Sequence, residues 1–120
     1  MAHYVDGFVV PVPKRKIKIY QTIAQKASKV WLDHGALDYR ECVIDHAVIK
    51  PTMPFARGIR SKPGETIVFA YIVYKSRAHR DKVNAKVMKD PRVNEMCDPT
   101  DMPFDCKRML YGGFKTIVGK

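Results

Sequence analysis

The segment Thr66 to Tyr74, TIVFAYIVY, constrains this chain more than any other. Alternation puts Ile67, Phe69, Tyr71 and Val73 on one side of a strand and Val68, Ala70, Ile72 and Tyr74 on the other. A strand that is apolar on both faces needs cover from two directions. It is too short to span a membrane, which takes about 20 apolar residues, and no other segment approaches that length. The opening MAHYVDGFVV lacks the basic stretch followed by an apolar one that marks a secretory leader. Cytoplasmic residence, with no membrane partner, is therefore the expectation.

Around this strand the chain changes period in a definite order. His3 to Val12 reads as a strand that Pro11 and Pro13 bring to an end. From Lys14 the apolar residues recur at three- and four-residue steps, through Tyr20, Ile23, Ala24, Ala27, Val30, Trp31 and His34, which predicts an amphipathic helix capped by Gly35. Leu37 to Ile44 alternates as a second strand, and Asp45 to Glu65, rich in proline and glycine, reads as a long loop. After Thr66 to Tyr74, Ser76 is placed to cap a second helix that runs to about Lys89, with Val83 and Val87 inward and Asp90-Pro91 at its end. A short helical turn is expected over Val93 to Met96, then a polar loop and a last strand from Arg108 to Val118. Gly112-Gly113 inside that strand predicts a bulge or a close backbone approach.

The order strand, helix, strand, strand, helix, strand is that of a ferredoxin-like α+β sandwich with a four-stranded antiparallel sheet. At 120 residues, 46% of them hydrophobic, the chain makes one domain, 1–120. Two helices cover one face of such a sheet and leave the other bare. Burying a Val, Ile, Leu or Phe side chain is worth roughly 1.5–3 kcal/mol, so a whole exposed face is a large liability. A second copy packed sheet to sheet is the economical cover, and a homodimer with a barrel-like interface is the expectation.

The net charge of +10 sits in two windows, residues 1–30 and 75–89, each contributing +5. Both overlap the predicted helices, so the excess charge is read as a property of the helix surfaces.

Four segments in one order carry a family resemblance: YVDGFVVPVP, HGALDYRECV, SRAHRDKVNAKVMKDPR and MPFDCKRMLYGGF. Together they resemble the YbaA-like family of uncharacterised bacterial proteins, and the match covers almost the whole chain. The resemblance implies the ferredoxin-like fold and a dimeric α+β barrel, the architecture of antibiotic-biosynthesis-type monooxygenases, muconolactone isomerases and stress-responsive barrel proteins. It implies no established reaction. The chain departs from the family pattern at Cys106, where glycine is usual, and at Tyr71, where tryptophan is usual.

Among candidate catalytic residues, Asp6 shares a strand face with Tyr4 and Phe8, and Glu41 shares one with Leu37, Tyr39 and Val43. If those faces look into the barrel, each carboxylate is desolvated and suits a general base. Alternatively, one or both acids pair with Arg40, Lys107 or Arg108, at the edge of the sheet or across the dimer. His34 beside Trp31 either exchanges protons with a flat ligand or settles the negative end of its helix. His79 leans toward the core, either as hydrogen-bonded structure or as a catalytic group, with Asn84 partly buried on the adjoining stripe. Tyr4, Trp31, Tyr39, Tyr71 and Arg108 are the expected ligand-facing residues.

His3, His34, His46 and His79 lack the short spacings of a zinc site, so no metal is expected. GxGxxG, GxxxxGKS/T and GxSxG are all missing from the sequence, so no nucleotide cofactor or hydrolase triad is expected. Cys42 reads as an inert buried thiol and Cys106 as an exposed one, and a Cys97–Cys106 bridge is disfavoured in a reducing compartment.

Three functions remain in view. The first is a dimer that binds a small, aromatic molecule between its sheets, with cofactor-independent oxidation or isomerisation as its chemistry. The second is a nucleic-acid binder, since the strand and helix order is also that of the RNA recognition motif; the basic residues lie away from the sheet and make this a poor fit. The third is a non-enzymatic dimer whose basic helix face meets an acidic partner.

Overall fold

The computed structural model describes residues 3–96 and 100–119. Cys97 lies outside the described residues, and with it the disfavoured bridge. The first strand, β1, runs over Tyr4–Pro13 and a 3-10 turn over Lys14–Lys16 leads into α1, Ile17–Asp33. Strand β2 covers Asp38–Val43, a single helical turn, α2, covers Phe55–Gly58, and β3 covers Glu65–Tyr74. Helix α3 spans Arg77–Lys89 and is followed by the short α4, Pro91–Asn94. A 3-10 turn at Cys106–Arg108 precedes β4, Leu110–Lys115.

The four strands form one antiparallel sheet in the order β2-β3-β1-β4, the ferredoxin-like arrangement. β1 ends at Pro13, as expected, but Pro11 lies within it. Both prolines pair in register, with Ile67 and Glu65, beyond the point where β4 stops at Val9 opposite Leu110. There β1 has become an edge, where a missing N–H costs no ladder bond.

Local chemistry accounts for the helix ends. Gly35 takes φ +111°, and behind it the His34 and Ala36 N–H groups return to the carbonyls of Val30 and Trp31, both at 3.1 Å. The Ser76 hydroxyl accepts from the His79 N–H at 3.1 Å at the start of α3, and Asp90 caps α4 by accepting from the Arg92 N–H. The last strand is shorter than Arg108 to Val118: Arg108 belongs to the 3-10 turn, and the strand ends at Lys115. No bulge forms at Gly112-Gly113; both stay in register opposite Gly7 and Asp6. The close approach is the correct alternative, since a β-carbon on Gly113 would lie 3.0 Å from the Tyr4 ring.

Both helices lie on one face of the sheet. Val30, Ile72, Tyr74, Val83 and Val87 form one core cluster, and Val10, Val12, Tyr20 and Val68 form another. The opposite face is only partly covered. There Ile67 is buried, yet Phe69 is 46% exposed, Leu110 56% and Phe114 59%. The expectation that the third strand is buried on both sides thus holds for its helix side and at Ile67. The 45–64 segment contributes some cover of its own, with the Phe55 ring of α2 centred 6.5 Å from that of Phe69.

Candidate functional site

The register decides which side each candidate takes, and it corrects the reading that Asp6 and Glu41 look between two sheets. Asp6 lies opposite Ile72 and Glu41 opposite Ala70, both buried on the helix side of β3. Tyr4 and Tyr39 are opposite Tyr74 and Ile72, on that same side. The candidate sites therefore lie between sheet and helices, in two cavities.

The first cavity, about 300 Å³, is lined by Asp6, Phe8, Trp31, Ile72, Asn84, Met88 and Tyr111. Asp6 is 2% exposed. Its Oδ1 accepts from Arg80 Nη1 at 2.8 Å and from the Tyr111 hydroxyl at 3.0 Å, and the Arg80 guanidinium lies 5.0 Å from the centre of the Tyr4 ring. Both protein hydrogen bonds fall on one carboxylate oxygen. Among the described residues no enclosed polar side-chain atom lacks a partner, so Oδ2 is reached from the cavity that Asp6 lines. Asn84 is oriented by its neighbours. Its Oδ1 accepts from Trp31 Nε1 at 3.2 Å and from the Tyr74 hydroxyl at 3.3 Å. An indole nitrogen can only donate, so the amide NH₂ must point the other way and has no protein acceptor among the described residues.

The second cavity, about 380 Å³ and open to solvent, lies between α1 and β2. Glu41 stands in its wall and accepts from two phenols, Tyr20 on one oxygen and Tyr39 on the other, the latter at 2.7 Å. Burial first, and the Glu41 charge second, hold both phenols far above their ordinary pKa, so they stay protonated and donate.

The remaining candidates lie elsewhere. His34 Nε2 is 2.8 Å from Asp90 Oδ2, tying the end of α1 to the start of α4. His79 Nδ1 accepts from the Lys75 N–H at 3.0 Å, and burial, followed by the charges of Lys75, Lys82 and Lys86, depresses its pKa. Arg108 forks onto Glu65 at 2.6 and 2.9 Å, far along the chain from either cavity's carboxylate. Tyr71 points to the open sheet face beside Phe69. Cys42 is exposed on that face too, not buried as expected, and Cys106 is exposed. Among the described residues no three potential ligands gather as a metal site, and no helix is long and apolar enough to cross a membrane.

The partners of both acids differ from those anticipated: Arg80 and Tyr111 for Asp6, Tyr20 for Glu41. Arg80 carried a usable signal, since it precedes Val83 by three residues and Val87 by seven, on the inward stripe of α3. Tyr111 carried none, because its position depends on where β4 docks.

Sheet order, helix layer and partly bare face define a ferredoxin-like α+β protein. A solved dimeric ferredoxin-like protein from an uncultured marine organism has the same fold, with a TM-score of 0.55 at 12% identity over 98% of this chain and 96% of that one. The family model "Protein of unknown function (DUF1428)" matches residues 3–106, and the chain belongs to that family. It is 41% identical over 115 residues to the uncharacterized protein YbaA of Escherichia coli K12, covering 96% of this chain and 97% of that one. The same identity and coverage relate it to the uncharacterized protein YbaA of Shigella flexneri.

Proposed function

We propose that this protein is a homodimer, joined through its open sheet faces, whose protomers each bind a small flat molecule in the Asp6 cavity. The observation that carries the binding site is the spare Oδ2 of a carboxylate that is 2% exposed. A carboxylate oxygen that borders a cavity and has no protein donor is free to accept a hydrogen bond there, and the ligand is the group that supplies it. The Asn84 amide offers a donor to the same cavity, and Trp31, Phe8 and Tyr111 offer ring faces. The matching ligand is an uncharged planar ring with an N–H or O–H donor beside a carbonyl acceptor. Asp6 Oδ2 is also the group placed to take a proton from such a ring, should the protein act as a cofactor-independent isomerase or oxygenase. The dimer is supported by the exposed Phe69, Leu110 and Phe114 and by the dimeric state of the ferredoxin-like neighbour.

Trp31 is the sole tryptophan in the sequence and lines this cavity, so its fluorescence reports on the site directly. Uracil, which carries the donor and acceptor pattern, is the probe, and 1,3-dimethyluracil, which lacks the donors, is its control. Saturable quenching by uracil alone, lost in Asn84→Leu, is expected. Equal binding of the two rings, or binding of neither, overturns the reading.

A further inference from the structure

We propose that the cleft between α1 and β2 is a separate site for a small primary alkylammonium ion, with Glu41 as its counter-charge. The inference starts from a contrast among the acids. Of the described acidic residues that are not exposed, Asp6, Asp38, Glu65 and Asp90 each pair with an arginine, at 2.8, 3.1, 2.6 and 2.7 Å respectively. Glu41 is the exception: among the described residues it forms no ion pair, and its only side-chain partners are the hydroxyls of Tyr20 and Tyr39. A partly buried carboxylate without a cation pays for its desolvation unless something outside the protein neutralises it.

The cleft has the chemistry to attract that cation and little to attract anything else charged. Glu41 is the only charged residue lining it, although the chain carries 22 lysines and arginines. Burial first, and the carboxylate second, keep both tyrosines neutral donors, so the cleft presents a single negative charge and suits a monocation. Each carboxylate oxygen has a second lone pair beyond the phenol it accepts from, which an ammonium N–H can use. The tyrosine rings add π surface, which favours an ammonium over a neutral group of the same shape. Ile17, Ala24, Val43 and Val68 give the cleft an apolar wall that suits a short alkyl chain, beside the uncharged Gln21, Gln25 and Ser28. This site shares no lining residue with the Asp6 cavity and stands or falls independently of it.

The test is calorimetric titration of the full chain with n-butylammonium, n-butanol and butyrate. The amine binds saturably, the alcohol at least about tenfold more weakly, as expected where a charge-assisted bond is lost, and butyrate not at all. Glu41→Gln weakens amine binding by a similar factor, and Ala24→Trp, which fills the cleft and spares the carboxylate, abolishes it. Circular dichroism establishes that each variant is folded, and Asp6→Asn leaves amine binding unchanged. Equal affinity for amine and alcohol, or amine binding undiminished in a folded Glu41→Gln or Ala24→Trp, overturns the proposal.

Discussion

The rings of Trp31 and Tyr39 lie with centroids 6.2 Å apart and planes inclined by 48°. Trp31 lines the Asp6 cavity and Tyr39 the Glu41 cleft. Trp31 also fixes the direction of Asn84 through its indole N–H. Trp31→Phe keeps an aromatic ring and removes that donor, leaving Asn84 Oδ1 with the Tyr74 hydroxyl alone. A loss of about 1–3 kcal/mol is expected in urea unfolding, combining lost volume with a lost hydrogen bond.

Arg80 holds the most buried carboxylate in the described chain, and its loss leaves that charge without its cation. Arg80→Ala should cost roughly 3–5 kcal/mol, the usual penalty for breaking a buried pair from one side. Asp6→Asn combined with Arg80→Met removes both charges and should cost less than the sum of the single changes. A double-mutant cycle by chemical denaturation measures the difference, and strict additivity would count against the coupling.

Gly113 has no room for a side chain, because Tyr4 occupies the space a β-carbon would take. Gly113→Ala should destabilise by about 1–3 kcal/mol through overpacking. Tyr4→Phe removes the hydroxyl nearest that carbon and should recover part of the loss in the double variant, as read from thermal unfolding.

Two groups of titrating residues give the stability two acid limbs. His79 has a depressed pKa in the fold, so below its ordinary value of about 6.5 the unfolded chain takes up a proton that the native one refuses. Its contribution is complete above that pH and is lost as the pH falls toward the folded value. Asp90, held well below the carboxylate range by Arg92 and then His34, and Glu65, lowered by Arg108, add a second loss at more acid pH. Unfolding followed across pH should show both limbs, and His79→Gln should flatten the first and leave the second.

The open sheet face and the helix face make opposite predictions about assembly. Phe114→Glu places a charge among the exposed apolar residues of the sheet and should yield a monomer in sedimentation velocity. Lys18→Glu with Lys29→Glu alters only the exposed surface of α1 and should leave the dimer intact. Dissociation of the lysine variant would place the interface on the wrong layer.

The alternation of TIVFAYIVY, the stripe of α1 and the caps Gly35 and Ser76 are local signals, and they made the order and type of the main elements legible. Which side the helices take is not local. Alternation groups Asp6 with Tyr4 and Phe8, and it is the packing of α1 and α3 that turns this group toward the helices. Likewise the bond from Tyr20 to Glu41 crosses 21 residues, and that from Tyr111 to Asp6 crosses 105. The acids could be singled out from their apolar neighbours, but their partners belong to the tertiary fold. The turn α2 was not legible because it lies within the proline- and glycine-rich stretch 45–65, which reads as a loop throughout.

The seat of β1 in the middle of the sheet has a consequence for how the chain is made. Tyr4 faces Lys115, so the outer side of β1 is paired only by β4, a strand more than a hundred residues further along the chain. Such distant closure slows folding. A nascent chain that has not yet reached Leu110 already contains both long helices and three strands, yet one edge of its central strand is bare and open to any passing strand. Of the two sides of β1, the one that awaits β4 is therefore the side at which this sheet is open to misassembly.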